Sequence, residues 1–378
     1  MQRSDKGEKE DNDMTPNPLV GVIFHWLGGL ASASFYVPYK RIKLWSWEIF
    51  WLTGGIFSWV LAPWFFAFLQ TQDLLGVLGR TPRDEIMACI AYGAAWGVGG
   101  LTFGLTMRYL GLSLGMAVAL GLCTAIGTLG PPIVTGELGE LAAKPGSLYT
   151  FIGVGLVLIG ILVVARAGHS KEKEIPGEKE GLEEFHLVKG LLIAILCGVM
   201  SSFFAFGLQE GDQIKALSAA AGTGPLWVGL PVLCVVLIGG FLTNFLWSGY
   251  LILKNRSAGN WIGKTPTGEK VPLLPNYLLA AFGGTLWYFQ FFFYSMGESQ
   301  MGAFGFSSWT LHMASIILFS TLWGFALKEW KGTSFKTQAL VWLGIGLLVG
   351  STVVIGYGNF EAQKATEAAA KTAQIVTK

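Results

Sequence analysis

Ten stretches of this chain are each long and apolar enough to cross a bilayer, which takes about 20 residues of helix. They cover residues 19–37, 47–70, 84–110, 112–135, 147–166, 188–209, 224–253, 275–297, 301–327 and 336–357, and leave little beyond loops and tails. Inside lipid each backbone amide must be bonded within its own segment, so runs of this length become helices. Only 13% of the residues are charged, against about 25% in soluble chains. The 52 glycines lie among Trp, Phe and Leu, where missing side chains let helices approach closely. The expected fold is an all-α integral membrane protein of ten transmembrane helices.

The tail at residues 1–18 holds three basic and five acidic residues, so the first run lacks the positive flank of a secretory signal and reads as a spanning helix, despite Ala31-Ser32-Ala33. Lys and Arg concentrate on the cytoplasmic side. Segments after the odd runs hold sixteen and those after the even runs four, so the odd loops are expected in the cytoplasm and both termini outside. The charged stretch Ser170 to Glu184 divides the runs five and five. The expected organisation is a repeat at 19–166, a linker at 167–187, a second repeat at 188–357 and an Ala-rich tail at 358–378. An odd number of helices per half makes any repeat an inverted one. Gly153-Val154-Gly155-Leu156 recurs as Gly344-Ile345-Gly346-Leu347, and Gly136-Glu137 aligns with Lys328-Glu329, at offsets of 191 and 192.

Polar groups inside lipid mark pathways. Glu48, Glu137, Glu210, Asp212, Glu298 and Glu329 all fall near run ends, whereas His25, His312 and Gln290 lie deep. His25, Gly28, Ser32 and Tyr36 share a helical face, as do Trp287, Gln290, Tyr294 and Glu298, and the ninth run adds Ser308, Trp309 and His312 about its middle. Aromatic planes beside hydrogen-bonding groups suit a neutral sugar. Trp96 and Trp287 lie too deep for the interfacial aromatic belt that Trp45 and Trp47 fit. Gly93, Gly97, Gly100 and Gly104 form a packing face on the third run.

Other chemistries find little support. A net charge of +2 leaves nothing to neutralise a nucleic acid. Cys89, Cys123, Cys197 and Cys234 lie singly in apolar runs, and no cluster calls for a metal or a cofactor. Ala258 to Thr265 imitates a phosphate loop and Gly111 to Gly115 a nucleophile elbow, the latter at the expected turn between the third and fourth runs, but neither follows a strand. Asn255-Arg256-Ser257 is a glycosylation sequon on the expected cytoplasmic side. A membrane-bound enzyme or sensor would want converging carboxylates or metal ligands, which the spacing does not offer.

The strings Phe24 to Glu48, Ala95 to Met116 (with GLTMRYLG), Leu286 to Gly297 (LWYFQFFFYSMG) and Ser308 to Trp330 (SWTLHM, then GFALKEW) resemble the L-rhamnose/proton symporter family of the drug/metabolite transporter superfamily. The resemblance covers residues 19–357. It implies a ten-helix carrier of the bacterial inner membrane that takes up a 6-deoxyhexose with a proton by alternating access. The matching positions are His25, Tyr36, Lys40, Trp47, Glu48, Trp96, Arg108, Trp287, Tyr288, Gln290, Tyr294, Ser308, Trp309, His312 and Glu329. The chain departs from the family at Gly100 and Thr102, where family members read Asn, and at Phe304-Gly305-Phe306, where they carry an Asp. The expected site lies between the first, third, eighth and ninth runs. Trp96, Trp287 and Trp309 stack on the sugar, and His25, Gln290, Ser308 and His312 bond it. Tyr36, Thr102 and Tyr294 complete the lining. His25 or His312 carries the proton, with Glu48 and Glu298 as gate or relay groups. The alternative is an uncoupled or differently coupled carrier or exporter of another small metabolite.

Overall fold

The computed structural model describes residues 16–175, 187–265, 268–326 and 330–376, and among them the regular structure is entirely helical. Nine long helices follow in order: α1 (Pro18–Ser34), α2 (Trp47–Gln70), α3 (Arg83–Val134), α4 (Ser147–Glu174), α5 (Leu187–Glu210), α6 (Leu230–Asn255), α7 (Leu273–Gln300), α8 (Ser308–Ala326) and α9 (Phe335–Val376). Eight helical segments in them are long and apolar enough to cross a membrane, so this is a multi-pass membrane protein.

Local chemistry sets the helix starts. Asn17 Oδ1 accepts from the Leu19 and Val20 amides ahead of Pro18, which needs no donor at a first helical position. Asp84 and Glu85 occupy the first turn of α3, where the helix dipole favours acids. In α2 the turn Ile56–Leu61 is a π-helix. Pro63 has no N–H for the Trp59 carbonyl, and a widened turn absorbs the break.

The helical backbone of α3 is unbroken, so the expected turn at Gly111 to Gly115 contains no non-helical residue. The chain nevertheless doubles back. Cys89 Sγ reaches the Gly207 carbonyl of α5 at 3.5 Å, and Gly130 packs against Phe206, one residue away. A straight helix would hold residues 89 and 130 about 60 Å apart. Cys197 Sγ likewise meets the Gly99 carbonyl at 3.3 Å while Gly198 packs on Leu122 and Ala119. Two antiparallel arms of α3 therefore flank α5, and the chain reverses between Gly99 and Ala119.

Several boundaries differ from expectation. The sixth helix of the chain begins at Leu230, not 224, behind Pro231. The segment before α8 is a 3-10 helix, Gly302–Ser307, so α8 starts at Ser308 and His312 sits near its beginning, not its middle. The α4 helix continues into the expected linker as far as Glu174, and α9 runs through the Ala-rich tail to Val376. Linker residues 176–186, and Glu329, lie outside the described residues.

Polar bonds tie the loops into two ends. At one end Asn276 exchanges bonds with the Lys43 backbone (3.2 and 2.7 Å), Asn260 holds Trp45 and Ser46, and Glu48 accepts from Asn255 (3.1 Å) and Ser257 (2.7 Å). The sequon and the phosphate-loop look-alike are thus absorbed in structural bonding. Trp45 is buried in this latch rather than in an aromatic belt; Trp47, stacked on Trp51, is the exposed one. At the other end Gln72 bonds Thr223 (3.0 Å), Ile214 bonds Glu85 (3.1 Å), and Lys215 lies 3.8 Å from Glu298.

On the first end Glu174 of α4 caps α9, accepting from the Ser334 amide (2.5 Å), the Ser334 hydroxyl (2.7 Å) and the Thr337 hydroxyl (2.6 Å). These bonds hold its carboxyl below the usual value of 4.5. A depressed folded-state pKa stabilises above the unfolded value and loses that contribution as pH falls through the folded one. The melting temperature of Glu174→Gln in detergent is therefore expected to lie below wild type at pH 7, with the gap closing below pH 4.5. A gap independent of pH would exclude the carboxylate as its source.

Candidate functional site

The α1 helix lies against α7 and α8, and two glycines make room for it. A methyl group at Gly28 would come within 2.9 Å of the Gln290 carbonyl and 3.0 Å of the His312 ring; one at Gly297 would reach the His25 ring at 2.8 Å. The imidazoles of His25 and His312 stand 6.2 Å apart, and each lies against the Tyr294 ring, at 5.4 and 5.3 Å. Trp309 adds a third wall, 5.8 Å from Tyr294 and 6.4 Å from His312. Its Nε1 donates to the Cys123 carbonyl at 3.1 Å, which fixes the indole against the second arm of α3. Ser315 shares its hydroxyl between the carbonyls of His25 (2.8 Å) and His312 (2.7 Å), pinning α8 to α1 at the level of the two rings.

This cluster is sealed and unsatisfied at once. His25 is 0% and His312 1% exposed, and Gln290, Ser308, Tyr294 and Trp309 are buried beside them. Both nitrogens of each imidazole, Gln290 Nε2 and Ser308 Oγ have no hydrogen-bond partner. Leaving a buried polar atom unpaired costs about 1–3 kcal/mol, and a partner for this set of groups would have to donate and accept several times. A polyhydroxylated molecule does that, and the aromatic rings suit its C–H faces.

Toward the latch end the aromatic wall continues. Trp309 stacks on Phe204 (5.9 Å), Phe204 and Phe291 pair at 4.4 Å, and Trp96 touches both. Phe291 leads to Trp287 (6.2 Å), whose Nε1 is also unpartnered, and Trp287 to Phe35 (4.2 Å). Trp96 and Trp287 therefore belong to this route rather than to the histidine cluster.

Other expected residues lie elsewhere. Tyr36, 50% exposed, packs on Phe35 and Tyr39 at the end of the route. Thr102 spends its hydroxyl on the Val98 and Gly99 carbonyls. Glu48 sits in the latch, and Glu298, one turn beyond Tyr294, faces Lys215. Of the glycine face, Gly93 and Gly97 pack on α6, while Gly100 faces open space; no contact of Gly104 is described, nor is the Arg108 side chain. Sequence reasoning missed Phe204, Ser315 and Lys215. Ser315 stands one turn from His312, a signal that could have found it; nothing distinguishes Phe204 among so many aromatics.

The chain matches the family model described as L-rhamnose-proton symport protein (RhaT) over residues 14–361. It is 37% identical over 341 residues to the L-rhamnose-proton symporter of Salmonella gallinarum, an alignment covering 90% of this chain and 97% of that protein. The L-rhamnose-proton symporters of Salmonella newport and Salmonella enteritidis match with the same identity and coverage.

Proposed function

Because the chain belongs to the L-rhamnose-proton symport protein family, we propose that it imports L-rhamnose together with a proton by alternating access. It is a transporter and not an enzyme. The observation that carries the reading to particular residues is the sealed cluster of His25, Gln290, Ser308 and His312, whose unpartnered atoms match the needs of a 6-deoxyhexose. Trp309 and Tyr294 flank the sugar, and one of the two histidines carries the proton.

The working architecture is ten crossings in two inverted repeats of five. The two arms of α3 count as separate crossings, and α7, less apolar because it lines the site, is another. A reciprocal contact supports the repeat. Gly153 of α4 packs on Ile355 of α9, and Gly344 of α9 packs on Val164 of α4; an offset of 191 converts each pair into the other. The α5 helix lies against both arms of α3 as α1 lies against α7 and α8, the same relation five crossings on. The latch end gathers the basic loops, which favours its facing the cytoplasm of a bacterial inner membrane with both termini periplasmic. Alternating access then opens the Glu48 latch at one end and the Lys215–Glu298 contact at the other.

Uptake of radiolabelled L-rhamnose into proteoliposomes tests the reading. Accumulation that requires an inward proton gradient and yields to unlabelled L-rhamnose is the expected result. Uptake indifferent to the gradient would leave a carrier without coupling, and no uptake would reject the substrate.

A further inference from the structure

Between the histidine cluster and the latch lies a small chamber lined by Phe35, Tyr39, Trp51, Ser58, Trp59 and Trp287. It has room for about one water molecule. Three of its lining side chains carry buried polar atoms without a partner, namely Ser58 Oγ, Trp59 Nε1 and Trp287 Nε1. Trp51 Nε1 is not among them, because it donates to Asn244 at 3.0 Å. The two unpartnered indoles can only donate and the serine can do either, so an oxygen that both accepts and donates, as a sugar hydroxyl or a water does, suits the chamber.

The backbone is shaped for this chamber. Ser58 and Trp59 are adjacent in sequence yet both buried, and both belong to the π-helical turn Ile56–Leu61. A regular helix turns successive side chains about 100° apart; the widened turn holds the pair on the inner side, and such turns recur at functional sites. Gly55 is the space into which the Trp59 ring fits, since any side chain there would collide with it. The chamber also lies on the aromatic route, with Trp287 one turn of α7 from Gln290 and packed on Phe35, the C-cap residue of α1.

We propose that the chamber formed by Ser58, Trp59 and Trp287 is a second sugar subsite, where a hydroxyl of the departing 6-deoxyhexose is held between the central cluster and the latch end. The proposal rests on the transport reading above. In the closed form a water occupies the hydroxyl position; when the latch opens, α2 moves off α7, the chamber widens and the sugar replaces that water. The subsite lowers the barrier to leaving the central cluster without contributing to affinity there.

Ser58→Ala and Trp59→Phe remove the polar atoms and keep most of the packing. Both variants are expected to bind L-rhamnose in detergent with a calorimetric Kd within about twofold of wild type, while maximal uptake into proteoliposomes falls about tenfold, the rate equivalent of one lost hydrogen bond. In a Ser58→Cys protein, mixed-disulfide formation with a small methanethiosulfonate, which releases methanesulfinate, should be slowed by L-rhamnose and not by sucrose at equal concentration, a readout that a purely structural role would not move and that stands even if Trp59→Phe fails to fold. Wild-type uptake in Ser58→Ala, or thiol modification indifferent to L-rhamnose in a Ser58→Cys protein that still binds it, would mean that the chamber holds only water and would overturn the proposal. A Kd that rises in step with the loss of uptake would merge the chamber with the central site, with the same consequence. A wild-type protein that neither binds nor moves L-rhamnose would overturn the transport reading itself, a result distinct from all of these.

Discussion

With the lumen of the proteoliposomes one pH unit above the outside, the wild-type protein is expected to concentrate L-rhamnose about tenfold, because one proton crossing that gradient supplies about 1.4 kcal/mol. The His25→Gln/His312→Gln protein is expected to bring the sugar only to equal concentrations on both sides, and at least one of the single variants should do the same. Glutamine keeps a donor and an acceptor near the imidazole positions and cannot titrate, so sugar exchange survives while coupling is lost. The geometry limits the stoichiometry as well. Two imidazolium rings 6.2 Å apart would repel by about 3 kcal/mol at an effective dielectric of 20. The rings packed on them, Tyr294 and Trp309, offer no compensating negative charge. One proton per cycle is therefore the favoured load. Full accumulation by the double variant would remove both histidines from the coupling path and point to Glu298, one turn beyond Tyr294.

The parts of this site that sequence made legible are those where polarity and apolar surroundings conflict. His25, Gln290 and His312 stand out in lipid-length runs because an ionisable or amide group there is costly; in the structure the two imidazoles pack on Tyr294 and Gln290 lies one turn before it on α7. The sequence could not show that the reversal of α3 keeps helical backbone bonding. Gly111 to Gly115 carries the usual marks of a turn and lies inside the span where the contacts with α5 require the chain to double back, although its residues keep helical backbone bonding. The start of α8 was obscured because Met301 to Ser307 is apolar enough to pass for helix, whereas the positive φ of Gly302 breaks it. The position of Trp45 alone suits the lipid interface, whereas Asn260, far away in sequence, supplies the carbonyl that its indole needs. The π-helical turn was foreshadowed by Gly54-Gly55 and Pro63, but an identical spacing in another helix could give a kink instead.

The proposed inverted repeat predicts that two distant glycines are equally intolerant of change. Gly93 of α3 and Gly284 of α7 are 191 positions apart, the offset that relates the reciprocal contacts of Gly153 and Gly344. A methyl group at Gly93 would land on the Val236 carbonyl of α6, and one at Gly284 on the Gly54 carbonyl of α2. Both obstacles are backbone, so neither can swing aside as a side chain would, and the cost falls at the upper end of the range of about 1–3 kcal/mol typical of overpacking, roughly a hundredfold in the folded fraction. Gly93→Ala and Gly284→Ala are thus expected to lose nearly all monodisperse protein on size-exclusion chromatography, while Gly100→Ala and Gly346→Ala, which face open space, should leave the yield unchanged. Wild-type yield and uptake in Gly93→Ala would exclude the close approach of α3 to α6. A folded but transport-dead Gly93→Ala would carry a different meaning. The contact would then be one that tightens during the cycle, and the glycine pair would serve as a sliding surface between α3 and α6, mirrored between α7 and α2, rather than as fixed packing.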